Sequence, residues 1–501
     1  MRMFQLPRMA LVLAAMLVAP AALANGFYKP GEVIVKYKNN IVRTNAVMTE
    51  MYNDVGIQSV KYFNGMMSDF EQLILKPGVS VQDAVKSLEQ TGLVEYAQPN
   101  YLLFTPEVQS QLLKAIQQAK KKQEAPPCII PGIPFPPGCE DGGGGGGGDV
   151  PCIIPGIPFP PGCVDGGDGG GGGGGNPPAE RPKVENPPAE GSPVADPDNA
   201  KAWGLEKIQA TSAWKEFPGD RKFIVAVIDT GIDYNHKDLS LNVWRNPSPT
   251  NNDVVGFDFI HNDGLPYDDQ GHGTHCSGSI GAVGENGFGI SGVSQKVSIM
   301  GLKFLSSSGQ GSTADAIKAI DYAIAKGARV LSNSWGSIGA DPDNNVLEEA
   351  INRAEKAGVL FVAAAGNGNQ FGMGQDNDSS AQRSYPASFT TPNIISVAAT
   401  DKNDGLASFS NYGKKSVHLG APGVGVYSAA PGSKYATHDG TSMACPHVAG
   451  AAALLWSKHP DWDYKKVKEV LIKTTDPVAS LANKSVSGGR LNILKAISFK
   501  E

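Results

Sequence analysis

Three short apolar runs between residues 200 and 501 each stop at a polar residue, and that pattern limits the fold more than any other feature of the chain. Phe223-Ile224-Val225-Ala226-Val227-Ile228 ends in Asp229-Thr230-Gly231. Leu360-Phe361-Val362-Ala363-Ala364-Ala365 ends in Gly366-Asn367, and Ile394-Ile395-Ser396-Val397-Ala398 is the third. Apolar runs of this length without polar alternation predict strands buried on both faces, the situation of a parallel sheet covered by helices. Helical stretches such as Ala314 to Lys326 and Val346 to Ala357 alternate with them. Residues 200–501 therefore predict an α/β domain with a mostly parallel sheet flanked by helices. Ligands of such sheets bind beyond the carboxyl ends of the strands.

The preceding 199 residues change character three times. Residues 1–24 carry Arg2 and Arg8, an apolar run from Met9 to Val18, and Ala22-Leu23-Ala24. This is the pattern of a secretory signal peptide cut before Asn25, and its apolar run is short for a membrane span. Residues 25–105 predict a small α+β domain. Its elements are a strand at Glu32–Tyr37, an alternating strand at Phe70–Leu75, a helix over Val81–Leu88, and a strand at Val94–Ala97 stopped by Pro99. Residues 106–124 have the spacing of an amphipathic helix (Val108, Leu112, Leu113, Ile116). Between 126 and 198, 39 of 73 residues are Gly or Pro, a composition that cannot build a core. This linker, 106–199 with its leading helix, holds two copies of CIIPGIPFPPGC, Cys128 to Cys139 and Cys152 to Cys163. One disulfide per copy is the simplest pairing of the three that four cysteines allow. Two copies are too few for a solenoid.

A net charge of −6 argues against a nucleic-acid partner, and no later stretch is long and apolar enough to span a membrane. A soluble, exported monomer is expected, outside the cell or in the periplasm.

The candidate chemistry lies at element ends. Asp229 stands where a buried strand stops. His272 lies in Gly271-His272-Gly273-Thr274-His275, without the glutamate that a zinc-protease HExxH motif requires. Ser442 lies in Gly440-Thr441-Ser442-Met443-Ala444-Cys445-Pro446-His447, ahead of an apolar helix, where free N–H groups favour developing negative charge. Each residue alone could be a cap or a turn. Cys276 and Cys445 read as buried small apolar residues.

The blocks Ala226-Val227-Ile228-Asp229-Thr230-Gly231-Ile232-Asp233, Gly271 to Gly278 and Gly440 to His447, in that order, closely resemble the three signature blocks of the subtilisin-like serine proteases. The order Asp, His, Ser is itself the subtilisin order. The resemblance implies Ser442 as nucleophile, His272 as general base, Asp229 as its orienting partner, and Asn367 as the oxyanion-binding side chain. It implies that Gly309-Gln310-Gly311 and Ser334-Trp335-Gly336 pair with an extended protein or peptide substrate. Residues 334–336 and Ala364-Ala365-Gly366 would wall an uncharged first specificity pocket. It also implies structural calcium at Asp238, Val283, Asn286, Phe288 and Ile290, with Asp196 and Asp198 as candidates to complete the site. A second, weaker calcium site would involve Asp258 and Asp263 beside Asp268 and Asp269. Residues 25–105 resemble the ferredoxin-like propeptide of secreted subtilases, an intramolecular inhibitor. Processing is then expected near Thr105 or later in the linker. The repeat alone would suit a binding or surface-attachment protein, for which the catalytic residue types are not needed.

Overall fold

A computed structural model describes residues 27–39, 41–63, 68–124, 181–337, 345–369, 371–379 and 383–500, without the side chains of 119–124. The signal segment 1–24 and Cys128, Cys139, Cys152 and Cys163 lie outside the described residues.

The N-terminal domain runs β1 (Tyr28–Tyr37), α1 (Asn45–Val55), β2 (Ile57–Tyr62), β3 (Phe70–Leu75), α2 (Val81–Gln90) and β4 (Val94–Phe104). The strands form an antiparallel sheet in the order β2-β3-β1-β4, the ferredoxin-like arrangement. Strand periodicity divides β1. Val33, Val35 and Tyr37 pack with Met48, Met51, Val81, Ala84 and Leu88 of the two helices, while Ile34 joins a core shared with the C-terminal domain. Both helices start at a hydroxyl that accepts an N–H, Thr44 from Val47 and Ser80 from Asp83. The spacing at 45–55 is too sparse in apolar residues to predict α1. Strand β4 does not stop at Pro99, which pairs with Val33. At that point β4 has a partner on one side only, so the missing N–H need not break a rung.

After α3 (Pro106–Glu124), two short helices, α4 (Trp203–Lys207) and α5 (Ala210–Ala213), lead into the C-terminal domain. Its sheet contains β5 (Gly219–Asp229), β6 (Gly256–Asp258), β7 (Lys296–Lys303), β9 (Val330–Asn333), β10 (Leu360–Ala364), β11 (Ile394–Thr400), β12 (Leu419–Pro422), β15 (Asp476–Pro477) and β16 (Gly489–Arg490). The order is β15-β16-β12-β11-β10-β9-β5-β7-β6, and every pair except β15 with β16 is parallel. The chain enters at β5, places β7 on one side and β9 on the other, and so makes its topological switch at the strand that ends in Asp229. Helices α6 (His272–Gly281) and α9 (Thr441–Lys458) belong to one core with the sheet; α7 (Thr313–Ala325) and α8 (Asn345–Lys356) belong to another. Residues 441–456 of α9 are all buried, which explains why that stretch is apolar all round rather than amphipathic.

Residues 181–198 form a strap fixed to this domain. Asn235 Nδ2 donates to Lys183 O at 2.8 Å, Arg245 Nη2 to Glu185 O at 3.0 Å, and Glu190 pairs with Arg221 and Lys296, each at 3.0 Å. The Arg181 guanidinium reaches Asp258 Oδ2, Asp263 Oδ1 and Leu265 O, each at 3.0 Å. His261 Nδ1 lies 2.7 Å from the same Asp258 oxygen. This corrects the expectation of a second calcium site, because a guanidinium fills the acidic pair. Asp268 and Asp269 turn elsewhere: Asp269 pairs with the buried Lys303 at 2.7 Å, and Asp268 caps α6.

Replacing Arg181 by Ala leaves the fully buried Asp258 without its guanidinium. Removing one partner of a buried pair costs about 3–5 kcal/mol, and Arg181 is half-exposed, so a loss of about 1–3 kcal/mol is expected in urea unfolding. An unchanged midpoint would show that the strap adds nothing to stability.

Candidate active site

The carboxyl end of β5 and the first turns of α6 and α9 meet at one point. Asp229 Oδ1 accepts the Thr230 N–H at 2.7 Å and lies 2.7 Å from His272 Nδ1. The Nδ1 contact fixes which ring nitrogen faces the carboxylate and turns Nε2 away from it. The meeting requires backbone contact: a Cβ on Gly273 would sit 2.2 Å from Gly231 O. A glycine at the second position of α6 is therefore needed for His272 to approach β5.

Asp268 holds this junction together. Its Oδ1 accepts from Thr230 Oγ1 at 2.9 Å, Gln270 N at 3.0 Å and Gly271 N at 2.7 Å. Its Oδ2 accepts from Thr274 N at 2.8 Å and Thr274 Oγ1 at 2.7 Å. Thr230 Oγ1 in turn accepts the Gly273 N–H at 2.8 Å. One buried carboxylate thus ties the residue after Asp229 to the helix start that carries His272.

Ser442 is the second residue of α9. Asn367 follows β10, and its Oδ1 accepts from Thr441 N at 2.9 Å and Thr441 Oγ1 at 2.8 Å. With its oxygen engaged, Asn367 presents Nδ2 as a donor beside the helix start. Cys276 Sγ lies 3.5 Å from Ser442 O and 3.9 Å from His272 Nδ1, in the core. Ser442 Oγ and His272 Nε2 are buried and make no hydrogen bond here.

The expected substrate edges flank a strand of the chain's own N-terminal domain. Leu102, Leu103 and Phe104 of β4 pair antiparallel with Ser312, Gly311 and Gln310 of β8 (Gln310–Ser312). Phe104 exchanges both backbone hydrogen bonds with Gly336, at 2.9 Å each, and Thr105 N donates to Gly309 O at 3.0 Å. Trp335 contributes only backbone to this edge, since its ring is buried against Phe304 and Phe361. Ser334 Oγ donates to Ser442 O at 3.0 Å. The side chains of Ala364 and Ala365 lie in two separate core clusters, and Gly366, whose N–H donates to Thr441 Oγ1 at 3.1 Å, abuts the site.

Glu107, in the first turn of α3, also enters the site and was not singled out by its residue type. Its Oε2 lies 3.4 Å from His272 Nε2, and its Oε1 accepts from Asn367 Nδ2 at 3.3 Å. Thr105-Pro106-Glu107 is a legible helix start, but only the fold puts it opposite His272. Burial works against an imidazolium, yet Asp229 foremost, and Glu107 with it, hold His272 well above its ordinary pKa. Burial would likewise raise Glu107, but the facing His272 holds it below the usual carboxylate range.

Away from this centre, the loop 283–290 folds around Asp238. Asp238 accepts from Asn286 Nδ2 at 2.9 Å, Ile290 N at 3.0 Å and Tyr435 Oη at 3.0 Å, and its own carbonyl accepts from Val283 N at 2.8 Å. Phe288 N donates to Asn286 Oδ1 at 2.8 Å. Asp196 of the strap accepts from Glu285 N, Asn286 N and Ser291 Oγ at 2.9, 3.0 and 2.7 Å. Asp198 instead pairs with Lys201 and accepts from Tyr427. Burial pushes Asp238 up to about 7.

Asp268→Ala should destabilise the domain by about 2–4 kcal/mol, since it strands several buried donors that had a charged acceptor. Asp268→Asn keeps the shape and one acceptor oxygen and should cost less. Thermal unfolding of the two variants checks the order; equal midpoints for Asp268→Ala and the parent protein would refute the tie.

Comparison with known proteins places these features. The subtilase family, peptidase S8 type, matches residues 220–492, and the fervidolysin N-terminal prodomain matches residues 15–100. The chain is 38% identical to thermitase of Thermoactinomyces vulgaris over 301 residues, 60% of this chain and 97% of that protein. It is 37% identical to subtilisin Savinase of Lederbergia lenta over 278 residues, 56% of this chain and 92% of that protein. Subtilisin-like protease 1 of Plasmodium falciparum is 35% identical over 59% of this chain, and the match spans 46% of that longer protein. The chain therefore belongs to the subtilase family of serine peptidases and carries a fervidolysin-type prodomain ahead of its peptidase domain.

Proposed function

We propose that the chain is an exported serine endopeptidase, made as an autoprocessed zymogen, that cuts extended protein segments through Asp229, His272 and Ser442. The observation that carries this reading is the convergence of the Asp229–His272 pair, the Ser442 helix start and the donor face of Asn367 at the switch point of the sheet. A serine hydroxyl is a weak nucleophile until a base takes its proton. His272 Nε2, the ring nitrogen turned away from Asp229, would take the Ser442 proton as Oγ attacks the scissile carbonyl, then give it to the leaving amine. Asp229 would stabilise the imidazolium so formed. Asn367 Nδ2 and the Ser442 N–H would donate to the oxyanion. Water would then release the acyl group by the same steps. Residues 309–311 and 336 offer main-chain rungs on both sides of a substrate, which bind an extended chain with little demand on its side chains. The lack of charge at 334–336 and 364–366 supports an uncharged residue before the cut. The leader at 1–24 supports export.

Calcium fits the loop at Asp238. Its carboxylate is buried, pairs with no cationic side chain among the described residues, and is surrounded by an amide and the backbone of a glycine-containing loop. Calcium takes six to eight oxygens, so its binding would turn the Asn286 amide, whose Nδ2 now donates to Asp238, to present Oδ1 instead. Asp238, Asn286 and the carbonyls of 283–290 would hold it, with Asp196 bracing the loop. It would return Asp238 to its charged form and stiffen the strap against the peptidase domain.

Ser442→Ala should abolish both casein hydrolysis and the shortening of the precursor; survival of either would refute the mechanism. Asn367→Ala should lower kcat about 10²–10³-fold with a smaller change in KM, as removal of such a donor does in subtilisin. Chelation should lower the melting temperature of the active-site variant Ser442→Ala, with recovery on adding calcium but not magnesium. An unchanged melting temperature would refute the metal.

A further inference from the structure

Residues 102–105 lie in the cleft as a substrate would, but the chain does not continue as one. Successive rungs on one side of an extended strand fall two residues apart. After Phe104, whose N–H and C=O both pair with Gly336, the next residue on that side is Pro106, which has no N–H. There the strand ends. Thr105 caps α3, accepting from Val108 N through Oγ1 at 3.4 Å and from Gln109 N through its carbonyl at 2.9 Å. Pro106 suits the first helical position for the same reason that it cannot extend the ladder. Leu102, Phe104 and Leu112 pack together beneath Val108, and Gln109 Nε2 donates to Ser337 O, so the helix is held against the cleft mouth.

This turn aims Glu107 at the reacting atoms. Its two oxygens face His272 Nε2 and Asn367 Nδ2, and a Cβ on Gly440 would lie 2.5 Å from Oε1. Glu107 Oε2, His272 Nε2 and Ser442 Oγ are all shielded from water. The hydrogen bond between Ser442 and His272 that attack requires is not made while the carboxylate is there.

We propose that Glu107 is the group that keeps the catalytic centre shut in the precursor: its carboxylate fills the space between His272, Asn367 and Ser442 that a reacting carbonyl would need. The proposal rests on the reading of the chain as a zymogen. It divides the inhibition into two parts. The β4 strand occupies the substrate rungs, and an anion carried by the following helix occupies the chemical centre. The bonds around Thr105 and Pro106 are then withheld from Ser442 until α3 lifts.

The contact has a pH dependence of definite sign. His272 faces Asp229 on β5, Cys276 and His275 on its own helix, His438 on β14 (Lys434–His438) and Glu107 on α3. Its pKa is raised in the closed form. The attraction to Glu107 is therefore complete below the ordinary imidazole value of about 6.5 and is lost as pH rises through the raised value.

The test follows the full-length precursor after purification, reading the lag before hydrolysis of an uncharged peptide anilide and before the precursor band shortens. Glu107→Gln should shorten the lag about tenfold, the scale of one charge-assisted hydrogen bond, and flatten its dependence on pH. Glu95→Gln, which removes a carboxylate that pairs with Lys36 away from the cleft, should leave the lag unchanged. Melting of each variant in the Ser442→Ala background checks that the prodomain still folds and docks. A lag for Glu107→Gln equal to that of the wild type overturns the proposal. So does a shortening that Glu95→Gln reproduces, or one accompanied by a fallen melting temperature. Hydrolysis by Ser442→Ala would instead overturn the protease reading itself.

Discussion

The site depends on one buried carboxylate. Asp268 receives hydrogen bonds from the turn after β5 and from the first turn of α6, and so fixes the distance between two elements that are far apart in sequence. Without that tie, Asp229 and His272 would belong to separate elements, each free to shift by more than a hydrogen bond tolerates. The close approach of Gly273 to Gly231 shows how little slack remains. A charge that faces several N–H and O–H donors and no cation is costly to bury unless all of them are satisfied, and here both oxygens are used. The same geometry commits Nδ1 of His272 to Asp229 and turns Nε2 toward Glu107.

The second constraint is main-chain pairing at an open sheet edge. A cleft that binds substrate through backbone rungs cannot tell a substrate from any other extended segment. The prodomain uses this. β4 enters between β8 and Gly336 with the register of a strand addition, while Leu103 alone among 102–104 turns its side chain into the core shared with the peptidase domain. The pairing ends at Thr105, and Pro106 and Glu107 then turn the chain into α3 beside His272 and Asn367.

Much of this was legible in the sequence because the strands are buried on both faces. Phe223–Ile228 and Leu360–Ala364 had to be core strands of a covered sheet, and polar residues at their ends had to face whatever the sheet binds. The prodomain strand at Phe70–Leu75 was equally clear from alternation. Helix α1 was not, since only Met48, Met51 and Val55 are buried along it. Strand β4 ran past Pro99, because a missing N–H matters only where a partner strand needs it. The side chains of Ala364, Ala365 and Trp335 went to the core, since a residue's place along a strand does not say which face it takes. Glu107 and Arg181 were invisible because each acts across a sequence gap of more than 70 residues, and no periodicity records such a contact.

The two acidic clusters show how a chain decides whether it needs a metal. Asp258 and Asp263 have a guanidinium supplied by the strap, which binds two carboxylates in a fixed fork and outweighs the burial that would raise Asp263. Among the described residues, Asp238 and Asp196 have only neutral donors, and burial leaves Asp238 near the point of taking up a proton. A buried carboxylate left in that state must gain a proton, a side-chain cation or an ion. The strap joins both clusters, pinned at Arg181 by a charge of its own and at Asp196 by the loop that embraces Asp238. Its two ends are thus held by different means, the first by an ion pair and the second by neutral hydrogen-bond donors.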